Sequence, residues 1–302
     1  MQRVFMVGCP RSGTSLAQSF LAAHPRVLSL PETHFYRFLS FNSIWREFGV
    51  IDISGKTLRR SLKGWAAWAR GQANAYARTK LEAVLTETGA EHEIQNLPAS
   101  PTQRDANIDA FPRLLDRLAQ QRGRTAWVEK SPDHINYLDL IERHVPDARF
   151  IHVVRRGPDV VASMIDAAQR YPDSSWATTY PNPMRAARRW RLAIRATRSR
   201  LGQPAHAVIN YHELVADPDA TLEPLCNFVG VDYDPDIITA RTQAVGEIAT
   251  DAEPWKQGLR SQAIQDRGAE KFQAIFTPAQ QRRIQQALAG IEPPATRIPT
   301  TT

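Results

Sequence analysis

Short apolar runs separated by longer stretches of helical periodicity set the plan of this chain. Val4-Phe5-Met6-Val7 suits a buried strand, and Leu16, Ala17, Phe20 and Leu21 then recur at helical spacing. Further strand-like runs are Val27-Leu28-Ser29-Leu30, Thr125-Ala126-Trp127-Val128, Phe150-Ile151-His152-Val153-Val154 and Ala207-Val208-Ile209-Asn210. Strands alternating with helices predict an α/β fold of three layers, a central parallel sheet with helices on both faces and right-handed crossovers. Ligands in such sheets sit at the carboxyl ends of the strands. The loops after Val7, Leu30, Val128 and Val154 are therefore where functional side chains are expected.

The longest interval without a strand signal runs from about Phe35 to Arg122. It holds Trp45, Trp65 and Trp68, two amphipathic stretches at Leu58–Ala69 and Tyr76–Leu85, and a polar loop at Pro98-Ala99-Ser100-Pro101. It reads as a helical insertion, either a lid or acceptor-binding subdomain or simply a helical extension with tryptophans in its core. The tail over 293–302 is expected to fray.

Composition narrows the class. The 302 residues suffice for one large core, and 42% hydrophobic with 23% charged residues is ordinary for a soluble globular protein. A net charge of +7 favours an anionic ligand or acceptor. Seven arginines lie between Arg185 and Arg200, a run that suits a solvated helix face or a docking surface for an anionic acceptor. No stretch resembles a nucleic-acid-binding module, so nucleic acid is not an expected partner. Cys9 and Cys226 are too few for a disulfide framework or a cysteine zinc site. No segment of the sequence has transmembrane length, and no leader is expected ahead of the first strand. A cytoplasmic location is expected.

The most informative segment is Gly8-Cys9-Pro10-Arg11-Ser12-Gly13-Thr14-Ser15, between the first strand and the first helix. Backbone N–H groups of such a loop converge where the helix dipole is positive, which makes an anion cradle. The spacing is nearly the G-x-x-x-x-G-K-[ST] of P-loop nucleotide-binding proteins, and it predicts a P-loop NTPase-like fold. Thr14, however, stands where that motif has the lysine that bridges β- and γ-phosphates. The nearest cation is Arg11. An NTPase is disfavoured, as is the alternative of a P-loop kinase acting on a small hydroxylated molecule, which would also need Mg²⁺.

Three more segments follow at strand ends: Leu30-Pro31-Glu32-Thr33-His34-Phe35-Tyr36, Val128-Glu129-Lys130-Ser131-Pro132, and Val154-Arg155-Arg156-Gly157 running to Ser163. After them comes Tyr211-His212-Glu213-Leu214 with Asp217-Pro218. In this order they resemble the sulfotransferases that use 3′-phosphoadenosine 5′-phosphosulfate (PAPS), in particular the bacterial, heparan-sulfate and tyrosylprotein branches. The resemblance spans about residues 3 to 230, with weaker traces to about 290. It implies a single sulfotransferase-like domain over 1–302 and transfer of a sulfonate group to a hydroxyl of a carbohydrate, small molecule or peptide, releasing adenosine 3′,5′-bisphosphate.

By this resemblance the first loop, Arg11, Ser12, Gly13, Thr14 and Ser15, holds the 5′-phosphosulfate. Glu32 is the base, Lys130 faces the sulfate, and Arg155 with Ser163 holds the 3′-phosphate. The chemistry suits these residue types. Charge moves onto the leaving phosphate, where Arg11, Lys130 and backbone N–H groups stabilise it, and the acceptor loses a proton that a carboxylate can take. No metal is expected, because these cations and the helix dipole supply the positive charge. A guanidinium fork grips phosphate in a way lysine cannot.

Plainer roles stand beside these. Glu32 also reads as a helix N-terminal acid before His34, and Arg155-Arg156 as partners of Asp159 or Glu129. Arg156 rivals Arg155, but neighbours leaving a strand point to opposite sides, so only one is expected to reach. Among Lys256, Arg260, Arg267 and Lys271, any can close over the 3′-phosphate. Thr277-Pro278 marks the start of a last helix.

Overall fold

The sheet follows from strands that are apolar on both faces. A computed structural model describes residues 1–39, 62–98, 104–173, 179–180, 182–249, 253, 256, 258–259 and 266–300. Five strands, β1 (Gln2–Gly8), β2 (Val27–Ser29), β3 (Ala126–Lys130), β4 (Arg149–Val154) and β5 (His206–Asn210), form one sheet in the order β2-β3-β1-β4-β5. Every pairing is parallel. On β1, Phe5 and Val7 join one core with Trp127, Phe150 and Tyr36, while Val4 and Met6 join another with Phe20, Val128 and Ile151. Both faces of the central strand are thus buried, as a parallel sheet requires. The rings of Phe5 and Trp127 meet edge to face at 5.2 Å.

From β1 the chain runs through α1 (Thr14–Ala22) to β2 on one side of the sheet. From β4 it runs through α6 (Gly157–Arg170) and α7 (Pro183–Arg198) to β5 on the other. The carboxyl ends of β1 and β4 therefore flank a topological switch point, the place where such sheets bind ligands.

Between β2 and β3 lie α2 (Phe35–Phe38), α3 (Leu62–Glu87), a 3₁₀ turn (Glu91–Asn96) and α4 (Arg104–Gln121). Residues 62–69 of the first amphipathic stretch expected here and all of Tyr76–Leu85 lie in the single helix α3, whose Ala77, Leu81 and Leu85 enter the sheet core beside Phe111 and Tyr36, while residues 58–61 lie outside the described residues. Phe35 stacks on Phe111 at 4.3 Å. This half of the interval is core of a helical extension. Trp45, residues 99–101 and the side chains of Trp65 and Trp68 lie outside the described residues.

After β3 come a second 3₁₀ turn (Pro132–Asn136) and α5 (Leu138–His144). After β5 come α8 (Tyr211–Ala216), α9 (Pro218–Val229), α10 (Ile237–Ile248), α11 (Gly268–Ile275) and α12 (Pro278–Leu288). Thr277 and Gln280 close a reciprocal capping box at the start of α12, where the sequence places a helix start. The expected fraying of 293–302 does not describe the tail. Arg297 exchanges both backbone hydrogen bonds with Val208 of β5, at 2.8 and 2.9 Å, and Thr296 Oγ1 accepts from the Asn210 N–H at 3.0 Å. An edge strand offers unpaired backbone groups, and the tail takes them up. Residues 301–302 lie outside the described residues.

Candidate active site

The loop after β1 is shaped by two close approaches. A Cβ at Gly8 would sit 2.5 Å from the Val153 carbonyl oxygen, so glycine lets β1 and β4 meet at the switch point. Gly13 has φ 97° and its missing side chain would overlap the ring of Tyr211. Arg11 also adopts a left-handed φ of 70°, a rare conformation for a side chain with a Cβ. The first turn of α1 carries no acidic residue to neutralise its dipole. Ser12 is 1% exposed, and its hydroxyl has no hydrogen-bond partner among the described residues.

Across the ends of β2 and β3, Glu32 and Lys130 form an ion pair in which the lysine side chain is fully buried. Lys130 Nζ also donates to Ser15 Oγ at 3.1 Å, which ties this pair to the first turn of α1. The other carboxylate oxygen of Glu32 meets His34 Nε2 at 3.1 Å. Lys256 Nζ approaches Glu32 at 3.4 Å and pairs with Glu253 at 2.7 Å. Burial by itself would raise the Glu32 pKa, but Lys130, Lys256 and His34 outweigh it and hold the carboxyl well below its usual range. Burial brings the Lys130 ammonium down to about 8 against the opposing pull of Glu32. Lys256, buried as well, is held above its ordinary value by Glu32 and Glu253.

The loop that carries Glu32 hangs on a buried carboxylate. Glu129 Oε1 accepts from Thr33 Oγ1 at 2.7 Å and from Ser131 Oγ at 2.6 Å. Its Oε2 meets His134 Nδ1 at 3.0 Å. His134 Nε2 accepts from the Tyr36 N–H at 3.2 Å, which assigns the imidazole proton to Nδ1. Ser131 Oγ accepts from the His34 N–H at 2.9 Å. Thr33, His34 and Tyr36 are thereby fixed to the strand end that presents Lys130. His34 is held with a left-handed φ of 49°. Glu129 stays ionised because His134, Ser131 and Thr33 together outweigh its burial.

At the end of β4, Arg155 lies with its guanidinium 4.0 Å from the centroid of the Tyr211 ring and donates to Asp266 at 2.7 Å. Asp266 also meets His212 Nδ1 at 2.6 Å. Arg156 Nε donates to Asp159 at 3.0 Å and its far end lies 3.7 Å from Asp266. Both arginines therefore reach the same acidic pair. Arg155 and Arg156 lie between the end of β4 at Val154 and the start of α6 at Gly157, with Arg156 as the N-cap of that helix. Their exposure still separates them, at 11% for the Arg155 side chain and 51% for Arg156. Asp159, His212 and Asp266 also bring possible metal-ligand atoms within 4.8 Å of one another, but both carboxylates are already engaged by the arginines.

Ser163 is brought to Arg11, whose Nε donates to its hydroxyl at 3.1 Å. Of the four late cations, Lys256 sits at Glu32 and not beside Arg155. Lys271 pairs with Asp166 on α6 at 2.7 Å. Arg267 precedes α11, and Arg260 lies outside the described residues. The sequence names Lys256 but gives no sign of its place. The sequence places Glu129 at a strand end and offers it to Arg155-Arg156, but its partners are Thr33, Ser131 and His134, which no local pattern marks.

A parallel α/β fold thus brings a glycine-containing loop at the start of α1, a buried lysine–carboxylate pair and a pair of arginines to the carboxyl ends of its strands, the arrangement of a group-transfer protein. Residues 3–235 match the family described as Sulfotransferase family, and the chain belongs to that family. It is 25% identical over 235 residues to a putative protein-tyrosine sulfotransferase of Caenorhabditis briggsae, covering 77% of this chain and 66% of that protein. It is 23% identical over 252 residues to protein-tyrosine sulfotransferase 2 of Gallus gallus, covering 82% of this chain and 56% of that protein. The chain thus spans less than two thirds of the length of these relatives. In fold it is similar to the sulfotransferase domain of the Synechococcus PCC 7002 olefin synthase (TM-score 0.54, 22% identity, 97% of this chain and 96% of that one). It is similar also to the sulfotransferase domain from the curacin biosynthetic pathway (TM-score 0.57, 21% identity, 95% and 97%). No helix among the described residues is long and apolar enough to cross a membrane.

Proposed function

We propose that this chain transfers a sulfonate group from PAPS to a hydroxyl of a carbohydrate, small-molecule or peptide acceptor. The observation that carries the reading is the ion pair of Glu32 with Lys130, itself hydrogen-bonded to Ser15 in the first turn of α1. A proton acceptor and a buried cation meet there at the edge of an anion-binding loop.

The residues present fit such a donor. The buried Ser12 hydroxyl is unsatisfied, the first turn of α1 has no acid, and Gly13 keeps the loop free of a side chain. Arg11, Ser12, Gly13, Thr14 and Ser15 would hold the 5′-phosphosulfate, and Arg155 with Ser163 the 3′-phosphate. When bound, the donor supplies a sulfonate already activated by its phosphoric anhydride bond. Glu32, held ionised, takes the acceptor's proton as the new O–S bond forms. Arg11 and Lys130 stabilise the charge that passes to the leaving phosphate as the old S–O bond breaks. Arginine, lysine and backbone donors carry the positive charge, so the proposal includes no metal. The donor and the cytoplasmic location belong to this reading together. A P-loop kinase is not favoured by the family to which the chain belongs.

Calorimetric titration with adenosine 3′,5′-bisphosphate and with ATP–Mg²⁺ tests the reading. Bisphosphate binding in the wild type that is lost in Arg155→Ala, with ATP–Mg²⁺ ignored, is the expected result. Binding of ATP–Mg²⁺ with no response to the bisphosphate would overturn it.

A further inference from the structure

The family match ends at residue 235, yet Lys256, well past that boundary, reaches the centre of the proposed site. Its ammonium is 2% exposed and lies 3.4 Å from Glu32, on the same carboxylate oxygen that Lys130 engages. It is anchored from behind by Glu253 at 2.7 Å and by the Ile248 carbonyl at the end of α10 at 3.3 Å. Two buried ammonium groups therefore share one oxygen of one carboxylate.

We propose that Lys256 is a positioning residue for Glu32, keeping its carboxylate ionised and in place while Lys130 serves the sulfonate. This rests on the reading of Glu32 as the proton acceptor. One lysine cannot compensate Glu32 and at the same time follow charge onto a transferring group. The two lysines are held differently, and the difference assigns the roles. Lys130 has Ser15 of the anion-binding loop as its other partner, so it stands between Glu32 and the loop. Lys256 has Glu253 and the Ile248 carbonyl as its other partners, neither of them in the loop, so it remains with Glu32. The groups that face Glu32 are Lys130 from β3, His34 from its own loop, and Lys256 with Glu253 from the segment after α10. Arg11 and Asp133 act on it electrostatically. The charge of Lys256 is sustained by Glu32 and Glu253 against its burial, whereas that of Lys130 weakens towards pH 8. This division places a functional residue in a part of the chain that the family match does not cover.

The test is site-resolved carboxyl ¹³C titration of Glu32, assigned by loss of the resonance in Glu32→Gln, in wild type, Lys256→Met and Lys256→Arg. Lys256→Met is expected to raise the proton affinity of Glu32 at least tenfold, about one pH unit, while Lys256→Arg keeps it near the wild-type value. In a Lys130→Met background, removal of Lys256 is expected to raise it further. A Glu32 midpoint unmoved by Lys256→Met in both backgrounds would overturn the proposal, and a merely structural lysine predicts that result. If Lys256→Met does not fold, Lys256→Gln, which keeps a polar end without charge, carries the same comparison. Bisphosphate binding is read on the same samples. Binding retained with an unmoved midpoint overturns this inference alone, and its absence from the wild type removes the donor reading beneath it.

Discussion

Tyr211 occupies the space that a side chain at position 13 would need. A Cβ on Gly13 would come within 2.8 Å of Tyr211 Cε2 and closer still to Cδ2, and the Arg155 guanidinium lies 4.0 Å from the centroid of the same ring. Gly13 and Arg155 are thus spaced by one aromatic plate. Gly13→Ala is expected to abolish bisphosphate binding, because the methyl group must push the plate and with it Arg155. The left-handed φ of 97° adds a stability cost of about 1 kcal/mol or more. Calorimetry and urea denaturation on the same variant check both effects.

Asp266 competes for Arg155. Its carboxylate accepts from Arg155 at 2.7 Å and also engages His212, so on the proposed function an incoming phosphate would have to displace an anion already in place. Asp266→Asn is expected to tighten adenosine 3′,5′-bisphosphate binding several-fold, since each tenfold corresponds to about 1.4 kcal/mol. The same variant tested with Arg155→Ala should show no gain. Weaker binding in Asp266→Asn would mean that Asp266 shapes the cleft instead of competing for it.

The Glu129 cluster predicts a cost that no carboxamide avoids. A glutamine there can still accept from Thr33 and Ser131 with its oxygen, but its NH₂ then faces the Nδ1–H of His134. Turning the imidazole proton to Nε2 only moves the conflict to the Tyr36 N–H. Glu129→Gln is expected to destabilise the fold by about 1–3 kcal/mol, the cost of a buried unsatisfied donor. Urea midpoints measure it, and a change below about 0.5 kcal/mol would show that the cluster rearranges freely.

Two buried histidines set an acid limit on stability. His152 Nε2 lies 3.0 Å from His206 Nδ1, with Thr197 and Glu142 at the two ends of the chain of contacts. Burial, reinforced for His152 by His206, lowers His152 to about 3, and burial lowers His206 to about 4. Both folded-state values lie below the unfolded value of about 6.5, so the unfolded chain binds more protons in the interval between. The stabilisation is full above about pH 6.5 and is lost as pH falls towards those folded-state values, by about 1.4 kcal/mol per pH unit for each histidine. Thermal melts from pH 8 to pH 4.5 should decline only below about 6.5. Imidazole NMR resonances of the native protein should remain those of neutral rings across that range.

The strands and the anion loop were legible because their signals are local. An apolar run and a glycine spacing can be read without knowing what lies opposite, and all five strands stand where the runs place them. The approach of Glu32 to Lys130 became visible only through the resemblance to a family, since no local pattern joins residues so far apart in sequence. The tail departs from the fraying usual at a chain end because its backbone is recruited by an edge that lies 89 residues back, from Arg297 to Val208. Glu129 and Lys256 carried no sequence signal of their place, because each acts through neighbours brought in by the tertiary fold.

The pairing of Arg297 with Val208 has a consequence for how the molecule meets copies of itself. β5 is the last strand on its side, and its outer backbone would otherwise be a template onto which another extended segment could add. A segment of the same chain running antiparallel, with Thr296 and Pro294 also bonded to Asn210, fills part of that position. Another segment that added to this edge would first have to displace the chain's own residues 294–297.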